Sequence, residues 1–185
     1  GDTVLLHAAA GGVGTIACQW LKALGATVIG TVGSPEKAEL AKAHGCDHTI
    51  LYREEDFVAK VREITGGKGV PVVYDSIGKD TFMKSLDCLS PRGLMVTFGN
   101  ASGPVPPLDV SILAGKGSLK VTRPTLTTYV LNRALLEPMA ADLFQRVISG
   151  QVKIEINQRY PLAQAIQAHR DMEDRKTTGS TILIP

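Results

Sequence analysis

Three glycines, Gly11, Gly12 and Gly14, fall within four residues between an apolar run, Thr3–His7, and a longer stretch of helical spacing, Gly12–Leu24. Glycine weakens both strands and helices, so such a cluster is tolerated where the backbone needs unusual dihedrals or must let another group come close. A glycine turn that ends a strand and opens a helix points backbone N–H groups outward, and a phosphate is the first candidate to meet them. The chain must therefore fold so that strand, turn and helix meet in sequence.

The same alternation continues along the chain. Ala26–Thr31 reads as a strand, Pro35–His44 as a helix with proline in its first turn, His48–Leu51 as a strand and Glu54–Thr65 as a helix. After the break Gly66-Gly67-Lys68-Gly69 come Val70–Asp75 as a buried strand, Asp80–Leu89 as a helix and Gly93–Gly99 as a strand. A loop rich in glycine and proline follows, with a short helix near Asp109–Ala114 and a sixth strand, Leu119–Pro124. Strands separated by helices pair in parallel through right-handed crossovers, which predicts an α/β fold with a doubly wound, six-stranded parallel sheet. Beyond Pro124 the rhythm changes. A long helical stretch, Thr127–Ser149, contains Pro138, where a kink or break is expected. A strand at Val152–Pro161, a helix at Leu162–Glu173 and a strand at Ser180–Pro185 have no place in the six-stranded sheet.

Composition excludes several functions. With 185 residues, 44% hydrophobic and 21% charged, the chain can bury a sizeable core. A net charge of +2 without blocks of like charge argues against nucleic-acid or membrane binding. Cys18, Cys46 and Cys88 are odd in number and widely spaced, which suggests neither a disulfide framework nor a zinc site but a reducing, cytoplasmic setting. No apolar run is long enough for a transmembrane helix. The histidines His7, His44, His48 and His169 form no metal set; His7 reads as a structural strand residue, and Trp20, on one apolar helical face with Val13, Ala17, Leu21 and Leu24, reads as core.

Read as a dinucleotide fingerprint, Ala9–Gly14 carries Ala, Gly and Gly at the three glycine positions of GxGxxG. The next diagnostic residue lies at the end of the second strand, where NAD-preferring sites place an acid on the ribose. This chain reads Thr31-Val32-Gly33-Ser34 there, with Lys37 one turn into the next helix. A hydroxyl, free N–H groups and an ammonium suit a 2′-phosphate, so the predicted cofactor is NADP(H). Methyltransferases also use glycine-rich loops, but an acid on the ribose would be expected and Lys37 would be idle.

Several stretches together, "HAAAGGVG", "GTVGSPEK", "YREED", "VVYDSIG", "RGLMVTFGNASG" and "VTRP", resemble the nucleotide-binding half of the quinone oxidoreductase (zeta-crystallin-like) branch of the medium-chain dehydrogenases/reductases. The resemblance covers essentially the whole chain. It implies that Gly11, Gly12 and Val13 flank the pyrophosphate and that Gly33, Ser34, Lys37 and Tyr52 hold the 2′-phosphate. Ser76, beside Asp75, would border the adenosine ribose; Asp75 could equally cap the following helix. Phe98, Gly99 and Asn100 would approach the nicotinamide ribose, and Pro124, Thr125 and Leu126 the carboxamide, while Arg175 would reach back to the phosphates. It also implies three parts: a Rossmann domain over residues 1–126, a connecting helix over 127–150, and a segment over 151–185 that completes a GroES-like catalytic domain lying upstream of this chain. Hydride transfer from NADPH to a quinone, or to an enone, alkenal or aldehyde, is the implied activity, with a non-catalytic NADPH-binding or crystallin-like role as the alternative. No catalytic group is assigned within the chain. A homodimer through the edge strand 119–122 is expected.

Overall fold

The computed structural model describes all 185 residues. Its first 122 residues form β1 (Thr3–Leu6), α1 (Gly12–Ala23), β2 (Thr27–Val32), α2 (Pro35–Ala43), β3 (His48–Leu51), α3 (Phe57–Ile64), β4 (Val70–Asp75), α4 (Phe82–Cys88), β5 (Leu89–Thr97), α5 (Ser111–Gly115) and β6 (Lys120–Thr122). The six strands make one parallel sheet in the order β3-β2-β1-β4-β5-β6. The order reverses between β1 and β4, and in such sheets ligands bind at that point, beyond the carboxyl ends of the strands.

Alternate strand residues feed two cores. Leu5, Ile29, Val73 and Met95 pack on one face with Phe57 and Val61 of α3 and Phe82 and Leu86 of α4. Val4, Leu6 and Val28 pack on the other with Cys18 of α1 and Ala38 and Ala41 of α2. All three cysteines are buried as free thiols.

The face that α1 turns to the sheet differs from the sequence expectation. Val13, Ala17, Trp20, Leu21 and Leu24 share the stripe read as core, yet Val13 and Leu24 are exposed and Trp20 is half-buried under the Arg146 guanidinium, 4.9 Å from the ring centroid. Gly14, Thr15 and Cys18 take the inner position instead. The reason is distance: a Cβ on Gly14 would lie 2.6 Å from the Ala9 carbonyl oxygen and closer still to that of Ala8, so only small residues fit this side. The larger side chains flank the contact and, with Leu6, Tyr74 and Phe98, line an open apolar groove of about 240 Å³. That face of the sheet is therefore only partly covered.

Beyond β6 the chain forms α6 (Leu126–Tyr129), α7 (Arg133–Ile148), β7 (Ile156–Pro161), a 3₁₀ turn (Leu162–Gln164), α8 (Ala165–Glu173) and β8 (Ser180–Ile184). The break in the long helical stretch falls at residues 130–132, not at Pro138. Asn132 is extended there, and its side-chain oxygen accepts from the Leu135 N–H, which starts α7 afresh. Pro138 is accommodated inside α7. β7 and β8 pair in parallel as a separate sheet. Gln19 of α1 holds this part to the body, donating to the Lys153 carbonyl (2.9 Å) and accepting from the Lys153 N–H (2.8 Å).

Candidate nucleotide-binding site

The glycine loop is shaped from both sides. Ala8 takes a left-handed conformation (φ 55°) at the end of β1, and its carbonyl accepts from the Gly11 N–H at 2.9 Å, which turns the chain into α1. Gly11 sits at the helix N-cap without a side-chain cap, and the first turn carries no acid. The N–H groups of that turn thus lack a side-chain acceptor, the arrangement that favours a bound anion. On the far side, Gly179 pairs with Gly11 and donates to the Ala10 carbonyl (3.2 Å). A Cβ on Gly12 would stand 3.0 Å from the Gly179 carbonyl oxygen.

A cavity of about 830 Å³ opens beside this loop and runs across the carboxyl ends of β2 and β3. Eight of the residues expected from the sequence line it: Gly11, Gly12, Val13, Gly33, Ser34, Lys37, Tyr52 and Arg175. Ser34 caps α2, its hydroxyl accepting from the Lys37 N–H. The Lys37 ammonium donates to the Arg175 carbonyl oxygen at 2.7 Å, and the Arg175 guanidinium donates to the Tyr52 hydroxyl at 3.0 Å. Burial lowers the pKa of Lys37; Tyr52 opposes that shift, and Arg53 and Arg175 add to it.

The other expected residues lie apart from this lining. Ser76 follows β4, and its carbonyl accepts from Ala101 N–H. Gly99 packs against the Ser76 backbone too closely for any side chain. Asn100 accepts from Gly103 through its carbonyl, and Phe98 lines the apolar groove. Pro124, Thr125 and Leu126 follow β6, with Leu126 exposed and the Thr125 hydroxyl 2.9 Å from that of Thr128. Asp75 serves the turn after β4: its carboxylate accepts from the Ile77 and Gly78 N–H groups and from the Thr81 hydroxyl at 2.7–3.1 Å.

Sequence reasoning missed other parts of the cavity. Arg53, Thr31, Thr81, Lys84 and the hydroxyl pair Ser180 and Thr181 all line it. Gly30 was also passed over. A Cβ there would come within 2.6 Å of both the Ala9 Cβ and the Cys46 Sγ, so the loop can cross β2 only because this strand residue is bare. Its position in an apolar strand, where glycine is unfavourable, was the available signal.

Beneath the cavity His7 is buried, its Nδ1 2.9 Å from Thr31 Oγ1 and its Nε2 2.9 Å from Ser85 Oγ. Ser85 spends its proton on the Thr81 carbonyl, which assigns the proton to Nε2 of His7. Desolvation lowers the imidazole pKa to about 4, against the attraction of Asp75. The structural reading of His7 agrees with this setting.

Strand order, glycine loop and cavity define a dinucleotide-binding Rossmann domain. The chain belongs to the zinc-binding dehydrogenase family, whose description it matches over residues 12–141. It is 57% identical to the quinone oxidoreductase of Pseudomonas aeruginosa over 185 residues, covering all of this chain and 57% of that protein. It is 52% identical to the 2-haloacrylate reductase of a Burkholderia species, covering 56% of it. Among solved structures, the Escherichia coli quinone oxidoreductase complexed with NADPH superposes with a TM-score of 0.97 at 54% identity, over the whole chain and 57% of that structure. The chain thus spans a little over half the length of these relatives. Despite the family's name, no group of three or more His, Cys, Asp or Glu side chains is disposed to hold a metal ion, so the residues present do not fit a zinc site. No helix is long and apolar enough to cross a membrane.

Proposed function

We propose that the chain is the NADP(H)-binding part of an NADPH-dependent quinone oxidoreductase. The observation that carries this reading is the wall of the cavity at the ends of β2 and β3. It offers Lys37, Arg175, the Tyr52 hydroxyl and the Ser34 hydroxyl, with Gly33 where a ribose-binding acid would stand. The relatives named quinone oxidoreductase and the structure solved with NADPH support it. The uncapped first turn of α1 would hold the pyrophosphate, with Gly11, Gly12 and Val13 against it. Gly33, Ser34, Lys37 and Tyr52 would hold the 2′-phosphate, and Arg175 would add a cation to the same charge. Ser76 would border the adenosine ribose, Phe98–Asn100 the nicotinamide ribose, and Pro124–Leu126 the carboxamide.

When bound, the nicotinamide supplies the hydride. This chain's residues fix its position and shield one side of it from water, while a catalytic domain outside residues 1–185 completes the acceptor's site. Residues 1–126 would then be the cofactor domain, 127–150 the connection and 151–185 a contribution to that second domain. A related acceptor is the second reading: the 2-haloacrylate reductase relative favours an electron-poor alkene. A cytoplasmic enzyme fits the three free thiols.

Lys37→Ala is expected to weaken NADPH by about tenfold to a hundredfold, the loss of one charge-assisted contact, and NADH far less. Titration calorimetry with both cofactors tests this; equal losses would sink the 2′-phosphate assignment. β6 stands at the sheet edge with Val121 exposed, which suits dimerisation by strand addition. Val121→Pro should then weaken association in sedimentation runs, and an unaffected dimer would put the interface elsewhere.

A further inference from the structure

We propose that Arg53, rather than Lys37 and Arg175 alone, sets the preference for a 2′-phosphorylated nucleotide, as a third cationic contact; this rests on the NADP(H) reading above. Arg53 follows β3 just beyond Tyr52 and lines the cavity. Its arm lies over the end of β2, where Val32 and Leu51 are partners in the parallel register. A Cβ on Gly33 would stand 3.5 Å from Arg53 Nε and 3.3 Å from the Tyr52 hydroxyl. The bare glycine therefore gives both side chains room to close on the same point.

The donors of the three cations are committed unequally. Lys37 is tied to the Arg175 carbonyl, and Arg175 donates to Tyr52. Arg53 takes no part in any hydrogen bond or ion pair, even though Glu55 and Asp56 also line the cavity. Those two carboxylates have other tasks: Glu55 accepts from the Leu51 N–H at 2.7 Å and lies 3.9 Å from Lys60, and Asp56 caps α3 through the Val58 N–H at 3.0 Å. A guanidinium presents five N–H donors in a planar fork that matches a phosphate, and a phosphate monoester carries nearly two negative charges at neutral pH. Lys37 and Arg175 meet that charge with donors already engaged elsewhere, whereas Arg53 brings an uncommitted fork. The repulsion that Arg53 and Arg175 exert on Lys37 is what a dianion placed among the three would relieve.

The test is calorimetric titration of NADPH and of NADH into the unmodified chain, Arg53→Gln and Arg53→Lys, with thermal unfolding as a check that each variant folds. The expected result is a loss of about tenfold in NADPH affinity for Arg53→Gln, little change for NADH, and an intermediate loss for Arg53→Lys, which keeps the charge without the fork. If the unmodified chain fails to prefer NADPH, the NADP(H) reading falls and this proposal with it. If it prefers NADPH but Arg53→Gln leaves that preference intact, or weakens both cofactors equally, the role of Arg53 is overturned while the reading of the site stands. Should Arg53→Gln not fold, the result for Arg53→Lys decides: full retention of the NADPH preference overturns the bidentate role.

Discussion

The first 125 residues and the last 60 are built on different terms. Up to Thr125 the chain buries the interior faces of five strands and four flanking helices, whereas beyond it only Val152 and Ala168 are buried. Leu131, Leu135, Leu136, Met139, Phe144 and Ile148 of the α7 region stay exposed. Hydrophobic burial is the dominant favourable term in folding, so the sheet domain carries its own stability and the second region is held by a few specific contacts. A body sustained by packing tolerates no change of volume at its tightest points, while an appendage held by hydrogen bonds can be loosened one bond at a time.

The largest effect expected on the body comes from Gly14→Val. The added side chain would drive into the Ala8 and Ala9 carbonyls, and neither backbone can yield without moving β1. A loss of about 3 kcal/mol or more in unfolding free energy is expected by thermal or denaturant melts, together with loss of nucleotide binding. An unchanged melting point would mean that α1 does not depend on this close approach.

Acid should act on the body next. Buried His7 has a folded-state pKa of about 4, below its ordinary value of 6.5, so the unfolded chain takes up a proton first as pH falls. Its neutral-state contribution is intact above pH 6.5 and is lost progressively towards pH 4, by about 3 kcal/mol in all. Denaturant melts across that window should show the slope in the unmodified chain, and His7→Gln should flatten it. A variant with the same slope would assign the effect to other groups.

The smallest expected effect lies in the appendage. Gln19→Ala removes both bonds to Lys153 and should cost about 1–2 kcal/mol locally. Hydrogen exchange should quicken in residues 150–161 while the strands of the six-stranded sheet keep their protection. Equal loosening of both regions would erase the contrast between them.

The six strands, their parallel sense and the glycine loop were legible because each is a local pattern: a short apolar run, a turn, a helical period. What escaped depends on tertiary proximity. The apolar stripe of α1 from Val13 to Leu24 has the periodicity of a core face, but Gly14 lets the small-residue side approach the sheet instead. β5 begins at Leu89, four residues before the expected Gly93, because Arg92 (φ 62°) and a register shift between Val70 and Val72 carry the pairing past Pro91. In the candidate site, Gly33, Ser34 and Lys37 were readable from one turn of chain. The hydroxyls of Ser180 and Thr181 were not, since nothing in their immediate neighbours says that they face the same cavity, and Arg53 was not, since adjacency to Tyr52 does not fix the direction of a turn residue's side chain.

The contact between Gly11 and Gly179 bears on how the protein is made. The sheet domain can assemble from the first 122 residues as they emerge during synthesis, for its strands pair with neighbours near in sequence or one crossover away. The nucleotide cavity must wait: its Lys37–Arg175 bond joins residues 138 positions apart, and its loop is closed by Gly179, far along the chain from Gly11. A ribosome-stalled chain that stops between β6 and Gly179 should therefore hold a folded sheet with an unfinished pocket.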